Sequence, residues 1–264
     1  MKKYSLKDMR ERYDYQESDS ILVGQKIYEF QKVTSTMDVV KELSSSSGVV
    51  VVSETQTQGK GRFEREWISQ EKNDLLFSYI LKIPQENIHT MLFKNSLSLL
   101  KTISELIDQR VFIKWPNDIY CENEKIAGIL TKTELFSGNS ELIVGIGLNV
   151  NSDKTYLLSK GLKATSLKFL TGKTFDKRKI LYGFLNNLNK MLAKDFNENE
   201  VFFEWKNSLG ILGKIINFRF IDNEKITLKA KVEDIDDIGR LIIKDSSGRK
   251  GFLSSEEITI VNKN

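Results

Sequence analysis

Hydrophobic and polar positions fall into two textures along the chain. From residue 21 to about 210, continuous apolar runs alternate with segments whose apolar residues recur every three or four positions. ILVGQKIYEFQKV (21–33) reads as strand material, and TSTMDVVKEL (34–43) places Ser/Thr/Asp cap candidates before a short helix. GVVVVSE (48–54) is β-branched without interruption, as expected of a strand buried on both faces. DLLFSYILK (74–82) predicts another strand, and HTMLFKNSLSLLKTISELI (89–107) a long helix with 3.6-residue spacing. RVFIKW, KIAGILTKTEL and ELIVGIGLNV predict three strands with turn signals at PND and SGNS. DKRKILYGFLNNLNKMLAKDF (176–196) predicts a second long helix.

Past about Gly210 the strands shorten. ILGKIINFRF, KITLKAKV, RLIIKD, RKGFLSS and EEITIV follow one another with Gly or Asp/Asn turns between them. Within KITLKAKV, Ile226, Leu228, Ala230 and Val232 alternate onto one face. The pattern predicts a polar tail over 1–20, an α/β domain over 21–210 and a small appended barrel over 211–264.

Composition narrows the classes. The 264 residues are 40% hydrophobic and 29% charged, a soluble globular balance. No apolar run approaches the roughly 20 residues of a membrane span, and the polar start is not a secretory signal. One cysteine, Cys121, rules out an intramolecular disulfide framework and suits a reducing cytoplasm. With His89 as the one histidine, neither a structural zinc site nor a His-based triad is supported. The net charge of +4 is spread out: residues 1–32 hold seven Lys/Arg against six Asp/Glu, and residues 211–264 hold ten against nine. Neither end is a basic arm, so no nucleic-acid surface is expected.

Three glycine patterns resemble phosphate-binding loops and fail on spacing. TGKT (171–174) needs glycine five positions before Gly172, where Leu167 stands. GKGRFE has Glu64 at the third glycine site of a dinucleotide fingerprint, and GIGLNV (145–150) offers two glycines and no third. What remains is polar residues interrupting apolar strands. GKGRFEREW (59–67) joins two glycines, several charges and an indole. KWPND (114–118) ends a strand with a lysine, an indole and two short polar side chains. KIAGIL (125–130) starts with Lys125 and places Gly128 where backbone approaches something closely, and GIGLNVN adds Asn149 and Asn151.

These four motifs, in this order and preceded by the STMD helix start, resemble the biotin protein ligase family over roughly 30–260. The pairing of KWPND with GKGR is specific to it. The resemblance implies a mixed β-sheet flanked by helices, an α/β (α+β) fold like that of class II tRNA synthetases, with a small C-terminal SH3-like β-barrel. It also implies ATP-dependent formation of biotinyl-5′-adenylate from biotin, with Mg2+, and transfer to a lysine of biotin carboxyl carrier protein. By motif, Ser35, Thr36, Met37 and Gln56 contact the biotin ring, while Lys60, Gly61 and Arg62 cover its carboxyl end. Gly59, Arg65, Trp67, Asn117, Asp118 and Asn149 hold ATP. Lys125, Arg62 and Asp118 carry the catalysis, Lys125 also touching biotin, and magnesium comes with the ATP phosphates rather than in a protein cage. The basic glycine loop is expected to be flexible and to close over two anionic reactants, with Glu64 and Glu66 facing solvent.

The family's loop usually carries Gly where this chain has Glu64, Arg where it has Lys60, and Asn where it has Met37. A lipoate-type ligase shares the fold but lacks the motif pairing. A biotin-operon repressor needs a winged helix, and the 34 residues before Ser35 are too few for one. The family also makes a homodimer possible.

Overall fold

The computed structural model describes residues 10–12, 22–43, 47–136, 139–193 and 197–261. Its larger sheet has eight strands: β1 (Arg10–Arg12), β2 (Ile27–Val33), β3 (Val50–Gln56), β4 (Leu75–Pro84), β5 (Val111–Lys114), β6 (Asp118–Cys121), β7 (Glu124–Phe136) and β8 (Asn139–Leu148). They lie in the order β1-β2-β3-β4-β8-β7-β6-β5. Only β2 and β3 pair in parallel, joined by the helix α1 (Thr36–Leu43), because a parallel connection needs a crossover. The polar tail is therefore not entirely outside the fold, since β1 pairs antiparallel with β2; the rest of 1–20 lies outside the described residues.

Side chains alternate across the sheet, so both faces need cover. On one face α1 closes a core of Tyr28, Phe30, Met37, Val39, Val51, Ile80 and Ile143. The other face, which carries Val50, Phe77, Tyr79 and Val144, packs against α2 (Ile88–Ser104), α5 (Lys177–Leu192) and α6 (Glu198–Asn207). Phe77 meets Phe184 of α5 edge-on, with centroids 5.2 Å apart. Val50 and Val51 are both fully buried, as the uninterrupted β-branched run requires.

Two short helices, α3 (Lys154–Ser159) and α4 (Leu167–Thr171), were not legible as periodic segments, nor was α6. TGKT proves to be the end of α4: Gly172 takes φ +71° and its N–H donates to Lys168 O at 2.8 Å, a left-handed helix stop. KWPND ends one strand and starts another. The turn at 115–117 folds β5 back on β6, a strand hidden behind the turn signal.

The C-terminal sheet comprises β9 (Ile215–Phe220), β10 (Asn223–Ile235), β11 (Leu241–Asp245), β12 (Lys250–Leu253) and β13 (Ile258–Val261), ordered β12-β11-β10-β9-β13. Phe218, Val232, Leu241 and Ile258 of this domain belong to the same contiguous core as α2 and α6. The expected apolar face of KITLKAKV is only half realised. Ala230 and Val232 are buried, but Ile226 and Leu228 are 54% and 40% exposed. β11 begins to pair with β10 only at Ala230, so the first half of β10 is a sheet edge that pairs with β9 alone. Trp115 ties the domains together, its indole N–H donating to Gly239 O at 2.9 Å.

Candidate active site

A cleft of about 260 Å³ opens on the α1 face of the large sheet. Its floor is made of missing side chains. Gly128 of β7 pairs with Gly147 of β8, and Gly145 lies two residues back on the same face. A methyl on Gly147 would stand 2.3 Å from the Trp67 ring, and one on Gly145 would stand 2.7 Å from Met37 Sδ. The glycines of GIGLNV thus seat the indole and the thioether against the sheet.

At one end the lining is neutral. Ser35 and Thr36 open α1, and Thr36 donates from its backbone N (2.7 Å) and Oγ1 (3.0 Å) to Gln56 Oε1. Thr36 Oγ1 also lies 2.7 Å from Ser78 Oγ. Ser35 Oγ and Trp67 Nε1 are buried with no hydrogen-bond partner among the described residues, although both residues line the cleft. Buried polar atoms without partners are costly, so a cleft holding two of them is matched to a ligand with complementary polar groups.

At the other end five cations, Lys60, Arg62, Arg65, Lys114 and Lys125, outnumber the carboxylates Glu66 and Asp118. Adjacent strands place Lys125 Nζ 2.8 Å from Asp118 Oδ1, and the same ammonium lies 5.3 Å from the Trp67 ring centroid. Burial lowers the pKa of Arg62, opposed by Asp118 and Glu256; burial also lowers that of Lys114, opposed by Asp118. Cations desolvated in this way gain from a bound anion.

The loop 59–67 is a self-bonded hairpin rather than a slack tether. Trp67 N donates to Gly59 O at 2.9 Å and Gly61 N to Arg65 O at 2.7 Å, and Lys60 bridges Glu66 through the backbone. At its tip Phe63 and Glu64 take φ of +53° and +57°. Left-handed backbone costs about 1–2 kcal/mol for each such side chain. Contacts elsewhere hold the turn: Lys60 Nζ reaches both carboxylate oxygens of Asp38 on α1, at 2.5 and 2.7 Å, and Arg62 donates to Ser255 O of the C-terminal domain.

Of the expected site residues, Ser35, Thr36, Met37, Gln56, Lys60, Gly61, Arg62, Arg65, Trp67, Asn117, Asp118 and Lys125 all line this one cleft. Gly59 and Asn149 do not. A Cβ on Gly59 would lie 2.5 Å from Trp67 O, so this glycine closes the hairpin. Asn149 is 3% exposed and spends its amide on Thr165 O at 3.0 Å, fastening the end of β8 to the segment before α4. Asn117 lines the cleft but donates its amide to Ile129 O, which pins the β5–β6 turn to β7. Glu64 and Glu66 are both exposed as expected, although Glu66 also lies at the edge of the lining. Sequence reasoning missed Lys114, Gly145 and Gly147, although KWPND and GIG contain them. It also missed Ile258, Thr259 and Ile260, by which β13 of the C-terminal domain forms one wall.

Among the described residues no cluster of three or more His, Cys, Asp or Glu is arranged to hold a metal ion. The carboxylate of Asp118, among cations, fits a metal delivered by phosphates better than a resident one.

Comparison with known proteins identifies the family of the chain. The sequence model of the Biotin/lipoate A/B protein ligase family matches residues 27–151, and that of the Biotin protein ligase C terminal domain matches 211–256. The bifunctional ligase/repressor BirA of Bacillus subtilis (strain 168) is 30% identical over 247 residues, covering 89% of this chain and 74% of that protein. The biotin–[acetyl-CoA-carboxylase] ligase of Mycobacterium tuberculosis is 25% identical over 224 residues, 80% of this chain and 78% of its own. The solved biotin protein ligase from Aquifex aeolicus in complex with biotin and ATP superposes with a TM-score of 0.73 at 27% identity, covering 90% of this chain and 99% of that one. With the motif-bearing residues gathered in one cleft and both family domains present in order, the chain belongs to the biotin protein ligase family.

Proposed function

We propose the following chemistry for this ATP-dependent biotin protein ligase. The carboxylate of biotin attacks the α-phosphorus of ATP, pyrophosphate leaves, and the mixed anhydride biotinyl-5′-adenylate remains. The ε-amine of a lysine on biotin carboxyl carrier protein then attacks the acyl carbon, AMP departs, and an amide forms. The observation that carries this reading is one cleft with two chemically different ends. Its neutral end has an unpartnered Ser35 hydroxyl beside Thr36 and Gln56, suited to the polar edge of an uncharged bicyclic ring.

The cationic end brings two anionic reactants together and stabilises charge developing at the α-phosphate. Lys125, already beside Asp118, is the point charge shared by both reactants, and Arg62 and Arg65 flank it from the loop. Trp67 presents an aromatic face for adenine, and its unpartnered Nε1 marks the same end. Magnesium, bound through the ATP phosphates within reach of Asp118, would neutralise the leaving pyrophosphate.

Asp118, the cleft carboxylate paired with Lys125, is the group we assign to take the proton from the incoming lysine. We place the reaction in the cytoplasm, where the buried, unpaired Cys121 stays reduced. No helix among the described residues is long and apolar enough to cross a membrane.

The test is biotin-dependent exchange of labelled pyrophosphate into ATP, followed by transfer of labelled biotin to purified carrier protein. Exchange driven by lipoate and not by biotin would overturn the substrate assignment.

A further inference from the structure

The STMD helix start contributes more than its Ser, Thr and Met. Asp38 does not line the cleft, yet both of its carboxylate oxygens are engaged by Lys60, the second residue of the basic loop. Lys60 lines the cleft but turns its ammonium away onto α1. The pair is partly sheltered, with side-chain exposures of 34% and 28%.

The loop has reason to need a fastening. Its tip holds two successive non-glycine residues, Phe63 and Glu64, in left-handed backbone, which opposes the closed shape. The hairpin's own bonds, Gly59 to Trp67 and Gly61 to Arg65, fix its internal form but not its position over the sheet. Position comes from the Trp67 ring on the sheet floor at the loop's end and from two polar contacts nearer its tip: Arg62 on the Ser255 carbonyl at one side and Lys60 on Asp38 at the other. Asp38 belongs to the same first turn of α1 as Thr36, so the loop is fastened to the helix that forms the ring end of the cleft.

We propose that Asp38 is a positioning residue, holding the basic loop closed over the carboxyl end of biotin through Lys60 without touching either reactant. The carboxylate fixes the ammonium, the ammonium fixes the loop backbone at Lys60 and Gly61, and that backbone covers the ligand. The biotin part of this inference rests on the function proposed above; the loop-holding part does not.

The experiment is a double-mutant cycle with Asp38→Asn, Lys60→Gln and both together, read in two ways on the intact protein. The first is the rate of tryptic cleavage after Arg65, followed by mass spectrometry without any ligand. A partly sheltered, charge-assisted contact corresponds to about a five- to tenfold faster cleavage when lost. Each single variant is expected to show it, and the double variant to show no more than the worse single. The second is pyrophosphate exchange, where Asp38→Asn should raise the biotin KM by a similar factor and leave kcat within about twofold. Asp38→Glu should restore most of it, which a general loss of fold would not allow.

Wild-type cleavage in Asp38→Asn, or multiplicative effects in the double variant, would overturn the proposal. Faster cleavage in Asp38→Asn, together with pyrophosphate exchange by the unaltered protein that does not depend on biotin, would keep the fastening and sink the functional reading instead.

Discussion

Gly147→Ala asks whether the floor of the cleft seats the indole. The added methyl would lie 2.3 Å from Trp67 Cε2, 2.5 Å from Cζ2 and 2.7 Å from Nε1. Carbon atoms rest at about 3.5 Å or more, so the ring must retreat by roughly 1 Å. β8 cannot yield in its place, because Gly147 is paired with Leu76 on one side and Gly128 on the other. Overpacking of this kind costs roughly 1–3 kcal/mol, or about 5- to 150-fold in an equilibrium constant. Trp67 sits on a surface hairpin, so the cost falls on seating the loop rather than on the global fold.

The ATP KM in pyrophosphate exchange should rise at least fivefold, while the melting temperature moves by no more than about 2 °C. Gly145→Ala is the built-in comparison, since its methyl meets Met37 Sδ at 2.7 Å and Cγ at 2.8 Å. It should act on the biotin KM instead, and more mildly, because a methionine side chain can swing aside. Equal effects of the two variants on both constants would refute the division of the cleft into two ends. So would an unchanged ATP KM in Gly147→Ala with unshifted tryptophan emission.

Lys125→Ala should lower the exchange rate by about 10²–10³ without unfolding the protein, as loss of a preorganised charge at a reacting centre does. Circular dichroism alongside the exchange assay checks both halves. Arg62→Gly removes a cation, its contact with Ser255 O and some backbone restraint together. The variant should still make adenylate but retain it loosely, so an unrelated lysine-rich protein incubated with biotin and MgATP becomes labelled. A bystander that stays unlabelled while adenylate accumulates would take Arg62 out of that role. Gly183→Ala, in the middle of α5 with only Thr102 Cγ2 near at 3.6 Å, should raise the melting temperature by about 1–3 °C through helix propensity.

What could be read from the sequence was chemistry breaking into apolar runs. KWPND and GKGR stand out because lysines and arginines beside buried strands need a reason, and all the charged residues taken from them do line the cleft. Asn149 misled because ELIVGIGLNV is buried on both faces, from Leu142 through Val150, so alternation could not tell which way its amide points. GIG has too few glycines for a dinucleotide fingerprint, but its use depends on where Trp67 folds back, about 80 positions earlier, and spacing carries no such information. β6 was missed because a turn signal and a four-residue strand overlap at Asp118. Ile226 and Leu228 alternate like core residues, yet no layer covers that half of β10. The wall supplied by β13 comes from the far end of the chain, where local pattern says nothing of docking.

Trp115 belongs at once to the motif that shapes the cleft and to the seam between domains. Its ring is 5% exposed and its N–H ends on Gly239 O, while Gly239 itself rests against Phe93 and Trp205, stacked 4.2 Å apart. One aromatic cluster therefore joins the helix layer, the KWPND hairpin and the C-terminal sheet. The two sheets share one contiguous core, so loosening the C-terminal domain is expected to loosen the cleft that it walls. Removing the last 50 or so residues would therefore not yield a smaller working enzyme. It would leave an open-sided sheet with a stranded indole, more prone to self-association than to turnover.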